Sequence, residues 1–462
     1  MSAPRVLDRP QLLARAWVDG VVRDDVLVEV VDGRFARVAP DAADDPGAVG
    51  AERVGGLTLP GLADAHSHAF HRALRGRAQR GTGSFWTWRE QMYALAAHLD
   101  PDRLHRLARA VFAEVAAAGW TSVGEFHYLH HGPDGTPYAD PRAAARAVVA
   151  AAREVGLRIA LLDTCYLTAA PGRPLEGVQV RFGDGDAHTW AERRAGLLDL
   201  EADPGVVVGA AVHSVRAVPP EALPVVAAAA AGRPLHVHLS EQPAENDACR
   251  AAYAVTPARL LADGGVLGPL TTVVHATHLT GDDVALLGAA RVRACLCPTT
   301  ERDLADGVGP SVALRDAGAV LTLGTDSHTV VDPFEEMRAV ELDERLVTGR
   351  RGSWSAAQLL AAAAADGQAG LGFADAGRIA VGARADLVTL DTASPRTAGT
   401  GADEHTAVWA ASAADVVRVV VDGRVVATAD GRADVGRALD REVAALWAQV
   451  EAGAGAAVEG VR

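Results

Sequence analysis

Hydrophobic residues run along this chain in two different textures. The first 55 residues carry short alternating runs, RAWVDG and VLVEVVDGRFARVAP, and similar runs return late in GRIAVGARADLVTLD and VVRVVVDGRVVATADG. Gly-containing turns separate them, as in hairpin-rich sheets. Between these ends the apolar runs become continuous: LTLPGLADAH, WTSVGEFH, LRIALLDTCY, VVVGAAVHS, RPLHVHLSE, TTVVHATH, VRACLCPTT and AVLTLGTDS. Near-continuous apolar runs are expected of parallel strands buried on both faces. Ala-rich segments bearing Arg and Glu lie between several of them and predict helices. Eight strand–helix units indicate a (β/α)₈ barrel of the TIM type. The two β-rich ends predict one small β-sandwich domain built from residues 1–58 and 376–462, the latter with a C-terminal helix. The barrel is expected to span 59–375.

The polar positions fall where such a barrel does its chemistry. Candidate strands end in His66 and His68, Glu125 and His127, His213, His238, His275 and Asp326. In a barrel the C-terminal strand ends converge on one face, where active sites sit. His66 and His68 are two apart, so on a strand both imidazoles share a side. His236 and His238 also share a side, and only one of them need bind a metal. His238 is the better choice because Glu241 follows it by three residues, which lets a carboxylate stand beside the ion without ligating it. His236 is then a packing or supporting residue. Asp326, in LGTDSHT, closes the set. Three imidazoles and a carboxylate suit Zn²⁺, or Fe²⁺ or Mn²⁺ under other supply conditions, and one ion per chain is expected. His275 is read as a further ligand or as an electrophile beside the ion, and His278 as a loop histidine.

Composition narrows the function classes. The chain has 462 residues, 49% hydrophobic and 22% charged, and a formal charge of −15. That charge argues against nucleic acid and anionic membrane surfaces as partners. No run approaches about 18 apolar residues, the length a membrane-spanning helix needs. The N-terminal MSAPRVLDRPQ lacks a signal-peptide pattern. Cys165, Cys249, Cys295 and Cys297 form no CxxC pair, so reduced thiols in a cytoplasmic protein are expected. All 44 basic residues are arginine. The absence of lysine excludes a lysine Schiff base, a P-loop lysine and a carboxylated lysine bridging two metals.

Taken together, the HxH after LPG, the HxxE on the fifth strand, the histidine on the sixth and the aspartate on the eighth resemble the amidohydrolase superfamily. The flanking GRIAVGARADLVTLD resembles it too, so the likeness covers nearly the whole chain. Within that superfamily, a set without a bridging lysine implies one metal and often deamination. Longer runs resemble the formimidoylglutamate deiminase branch: Ser84–Arg89 (SFWTWR), Glu125–His131 (EFHYLHH) with the following GPDGTPYADP, and His213–Pro219 (HSVRAVP). That resemblance implies hydrolysis of N-formimino-L-glutamate to N-formyl-L-glutamate and ammonia in histidine degradation, by a homodimer. It implies Glu241, His275 and Asp326 as catalytic groups and a dicarboxylate substrate. Arg216 and Arg89, by location and resemblance, would grip the carboxylates, because a guanidinium pairs with a carboxylate through two parallel hydrogen bonds. Tyr128 and His213 are expected hydrogen-bond partners, and Trp86 and Trp88 expected pocket walls. His71 stands where that branch often has glutamine. Both side chains donate and accept, so substrate contact is expected to survive. Two other readings remain open: a deaminase of a ring substrate such as guanine, cytosine or an adenosine-type nucleoside, and a non-enzymatic barrel scaffold.

Overall fold

The computed structural model describes residues 5–459. Eight parallel strands form the barrel: β1 (Leu62–Ser67), β2 (Trp120–His127), β3 (Arg158–Cys165), β4 (Val206–Val212), β5 (Leu235–Leu239), β6 (Thr271–His275), β7 (Arg293–Leu296) and β8 (Val320–Leu323). Each pairs with the next in sequence order. The ring closes just beyond β8, where the Asp326 N–H donates to the His66 carbonyl (2.9 Å) and the His68 N–H donates to the Asp326 carbonyl (3.0 Å). Helices cover the outside. The helix Pro101–Ala118 starts on an Asp100 side chain that accepts from the Arg103 N–H (2.8 Å), and it stops at Gly119, whose φ of 113° turns the chain into β2.

The chain ends form the second sheet. Its order is Arg5–Val6, Arg424–Thr428, Val416–Val421, Leu387–Leu390, Glu52–Pro60, Gln11–Val18, Val21–Val31 and Arg34–Ala39. Three two-residue hairpin loops, Asp19-Gly20, Asp32-Gly33 and Asp422-Gly423, have positive φ at both positions. This is the turn whose twist matches adjoining strands, and it favours Asp-Gly. Leu13, Val26, Phe35, Leu387 and Val420 belong to a separate core for this sheet.

Two sequence expectations are refined. LTLPGLADAH is two strands rather than one: Leu57–Pro60 pairs in the small sheet and Leu62–Ser67 in the barrel. Gly61 is the joint. A Cβ there would come within 2.5 Å of both Asp386 Cβ and Thr121 Oγ1, so only glycine lets the two sheets meet. GRIAVGARADLVTLD contributes only Leu387–Leu390 as strand; its first half is irregular, although Ile379 and Ala385 are buried in the small core.

Arg158, at the start of β3, is buried and paired with Asp386 of the small sheet through both terminal nitrogens. Asp386 also accepts the Asp422 N–H (2.9 Å). Asp386→Ala leaves the buried guanidinium with only the more exposed Asp422, 3.2 Å away, and breaking a buried pair typically costs 3–5 kcal/mol. We expect denaturant unfolding to show a loss of about that size with the metal content unchanged. A loss under 1 kcal/mol would show that the pair does not fasten the sheets together.

Candidate metal centre and active-site cavity

The barrel's C-terminal end brings together His66 and His68 from β1 and the residue after it, His238 from β5, and Asp326 after β8. All four are buried. The Nε2 atoms of His66 and His238 lie 3.1 Å apart, those of His68 and His238 3.3 Å. Asp326 Oδ1 is 3.3 Å from His66 Nε2 and 3.4 Å from His68 Nε2. Donors 2.0–2.1 Å from a tetrahedral ion are separated by about 3.3 Å, so these spacings fit one divalent metal.

Outer contacts fix the rings for that task. His68 Nδ1 donates to the Phe126 carbonyl (2.9 Å) and His238 Nδ1 to the His213 carbonyl (2.8 Å). With the Nδ1 protons so committed, both Nε2 atoms present bare lone pairs to one point, an arrangement a cation stabilises. Burial first, and neighbouring imidazoles second, depress the pKa of His68 and His238, which keeps them neutral and able to ligate. Glu125, on β2, holds the HxH segment from behind: it accepts from Ser67 Oγ (2.7 Å) and the Ala69 N–H (2.9 Å).

The backbone around this point is unusual. Ser240, His275, Ala276, Asp326 and His328 all have φ between 47° and 66° although none is glycine. Left-handed non-glycine residues cost on the order of 1–3 kcal/mol each and gather at functional sites. Here they turn the ends of β5, β6 and the β8 loop inward.

Beside the cluster lies His275. Its Nε2 is 3.7 Å from Glu241 Oε1, and its Nδ1 is 3.3 Å from Glu301 Oε1. That Glu301 oxygen also accepts the Cys297 N–H (2.9 Å). Burial lowers the His275 pKa, but Glu241 and Glu301 outweigh it and raise the imidazole well above its ordinary value. Burial raises the Glu241 carboxyl. Asp306 is a third carboxyl in this group, held by Gln242. Glu301 and Asp306 went unnoticed in the sequence. They follow β7 in PTTERDLADG, and an acidic residue just after a barrel strand was the available signal.

A cavity of about 220 Å³ opens over the cluster. His68, His71, Arg89, Tyr128, His213, Arg216, His238, Glu241, His275 and Asp326, all selected from the sequence, border it, as do Trp86 and Trp88. His71 Nε2 is hydrogen-bonded to the Tyr128 hydroxyl (2.7 Å). Arg89 lies over the Trp86 ring, 4.4 Å from its centroid. Neither Arg89 nor Arg216 has a carboxylate within 4.0 Å among the described residues, whereas many other arginines are ion-paired. Tyr93, Tyr166 and Glu245 also line the cavity and were missed by sequence reasoning. His236 faces away, near the Gly370 carbonyl, and His278 sits in the loop after β6. His130 and His131 lie behind the wall: His130 bonds the Thr164 carbonyl and His131 bonds Asp184, which Arg193 joins to Asp163.

An eight-stranded parallel barrel with a buried His₃Asp set at its C-terminal end defines a metal-dependent hydrolase. The sequence profile of the Amidohydrolase family matches residues 57–426, and the chain belongs to that family. It is 37% identical over 415 residues to the formimidoylglutamate deiminase of Pseudomonas aeruginosa, covering 87% of this chain and 90% of that protein. It is 30% identical over 413 residues to a 5-methylthioadenosine/S-adenosylhomocysteine deaminase of Halobacterium salinarum, covering 87% and 88%. Among solved structures, an amidohydrolase from Brucella melitensis superposes with a TM-score of 0.88 at 29% identity, covering 95% of this chain and all of that one. The family and the site together make the protein a hydrolase of carbon–nitrogen bonds. Among the described residues no helix is long and apolar enough to cross a membrane.

Proposed function

We propose that the protein hydrolyses N-formimino-L-glutamate to N-formyl-L-glutamate and ammonia. The observation that carries this reading is the pair of guanidiniums, Arg89 and Arg216, neither with a carboxylate within 4.0 Å among the described residues, in the wall of a cavity that has the metal cluster at its floor; Glu245 in the same wall acts on Arg216 only from beyond that distance. In a chain of net charge −15 without lysine, two such cations favour a substrate that brings carboxylates of its own. The 37% identity to a formimidoylglutamate deiminase supports the same substrate.

His66, His68, His238 and Asp326 would hold the ion, with Zn²⁺ the choice best suited to three imidazoles and a carboxylate. When bound, such an ion supplies Lewis acidity and brings the pKa of water down towards neutrality. Asp326 accepts a proton as water adds to the formimino carbon. Glu241, its carboxyl raised by burial, exchanges protons at the formimino nitrogen and delivers the one with which ammonia leaves. His275, set between Glu241 and Glu301, is placed to stabilise negative charge developing at the attacked centre. Arg216 and Arg89 orient the substrate by its carboxylates, and Tyr128 and His213 complete the wall.

The direct test is ammonia release from N-formimino-L-glutamate with identification of N-formyl-L-glutamate. Release from adenosine-type or other ring substrates instead would replace this reading. A finer check is Arg216→Met. Hydrogen bonds to charged groups are worth about 1.5–3 kcal/mol, which corresponds to a fall in kcat/KM of about 10- to 100-fold. The loss should shrink on an analogue lacking the α-carboxylate. Equal losses on both substrates would make Arg216 a structural residue.

A further inference from the structure

Behind the guanidinium end of the cavity, one amide fixes the direction of a hydrogen-bond chain. Gln179 is buried and stands outside the cavity lining. Its Oε1 accepts the Glu176 N–H (3.2 Å). That backbone donor settles which end of the amide is oxygen, since a reversed amide would set an NH₂ group against an N–H. Nε2 must then point the other way, and there it donates to the Tyr93 hydroxyl (2.9 Å) and reaches the Tyr166 hydroxyl (3.4 Å). Each phenol oxygen thus faces the Gln179 amide hydrogens, which turns both hydroxyl protons away from Gln179. Both tyrosines line the cavity beside Arg89 and Arg216. Arg89 lies 5.6 Å from the Tyr93 ring centroid.

We propose that Gln179 is a positioning residue that orients the Tyr93–Tyr166 hydroxyl pair so that the guanidinium end of the cavity offers donors and selects ligands carrying a carboxylate there. The inference rests on the substrate reading above for its enzymatic arm only. A carboxylate accepts at both oxygens and donates at neither, so it fits a wall made of two guanidiniums and the tyrosine hydroxyl protons. A neutral ring edge that mixes donors and acceptors does not.

Gln179→Glu tests it. The substituted carboxylate accepts where the amide donated, so it draws the hydroxyl protons backwards, away from the cavity. For N-formimino-L-glutamate the expected result is a KM raised by about 10-fold or more with kcat within threefold, since uniform binding is lost and the chemistry is not. Gln179→Met, which removes the donor without adding charge, should raise KM by a smaller factor and guards against misfolding of the glutamate variant. Titration of glutarate into the metal-loaded protein reads the same subsite without turnover: its affinity should fall in both variants in the same order. An unchanged KM and unchanged glutarate affinity would overturn the proposal, as would a fall in kcat matching the rise in KM. If wild-type protein binds glutarate, and the variants weaken that binding, yet N-formimino-L-glutamate is not turned over, the substrate reading fails while the anion-selecting role of Gln179 stands.

Discussion

Replacing Glu241 with glutamine is expected to leave a folded, metal-loaded protein whose kcat is lower by about 10²–10⁴-fold, the range general acid–base groups contribute. The substitution keeps the side chain's shape and its capacity to accept a hydrogen bond, but it cannot carry a transferable proton. Glu241 is not part of the His66, His68, His238 and Asp326 cluster, so the ligands are untouched. It does stand 3.7 Å from His275 Nε2, and the substitution removes a carboxylate that raises the pKa of that imidazole. The fall in rate therefore combines a lost proton carrier with a changed electrostatic setting for His275 beside it. KM should change little, because neither effect removes a carboxylate contact. Metal analysis and steady-state kinetics on the same preparation decide the matter. Turnover within tenfold of wild type would take Glu241 out of the mechanism, and loss of the ion would place it among the ligands instead.

Much of this arrangement was legible in the sequence because strand periodicity and barrel topology do the same sorting. Eight continuous apolar runs, almost every one ending in a polar group, predict both the barrel and the face on which His66, His68, His238, His275 and Asp326 meet. The change of sheet at Gly61 was not read, although Pro60-Gly61 signals a break there. LTLPGLADAH reads as one apolar run across that pair, and the three-dimensional approach of Asp386 and Thr121 shows why the chain changes sheets there. Supporting residues were hidden. Glu301 reaches His275 from a short helix 26 residues later in the chain, and Gln179 reaches Tyr93 across 86 residues. Neither contact leaves a periodic trace. The run from Glu125 to His131 shows the opposite problem. It is rich in titratable groups, yet of its three histidines none borders the cavity. Tyr128 is the member that does, while His130 and His131 satisfy buried partners behind the wall. Resemblance along a motif marks the neighbourhood of a site without separating the residues that face substrate from those that hold the wall.

The second large effect expected is from His68→Ala, which should reduce the bound metal from about one ion per chain to a small fraction and abolish turnover while leaving the barrel folded. The reasoning starts from the donor set. Three imidazoles and a carboxylate converge with spacings of 3.1–3.4 Å, and His68 takes part in two of those approaches. Its loss leaves two imidazoles and a carboxylate, three donors where the wild-type site has four, and opens the side of the ion that His68 closed. The fold should persist because the core is apolar and extends far beyond this point, with Leu62, Val123, Ile159 and Leu323 fully buried along the strands. Stability should still fall, since an ion that binds only the folded state adds about 2.7 kcal/mol at a hundredfold excess over its Kd. Removing the ion from wild-type protein with a chelator should therefore lower its melting temperature towards that of His68→Ala, and re-adding Zn²⁺ should restore wild type but not the variant. Two tightly held ions per wild-type chain, or a variant that keeps its metal and its activity, would contradict the site as built.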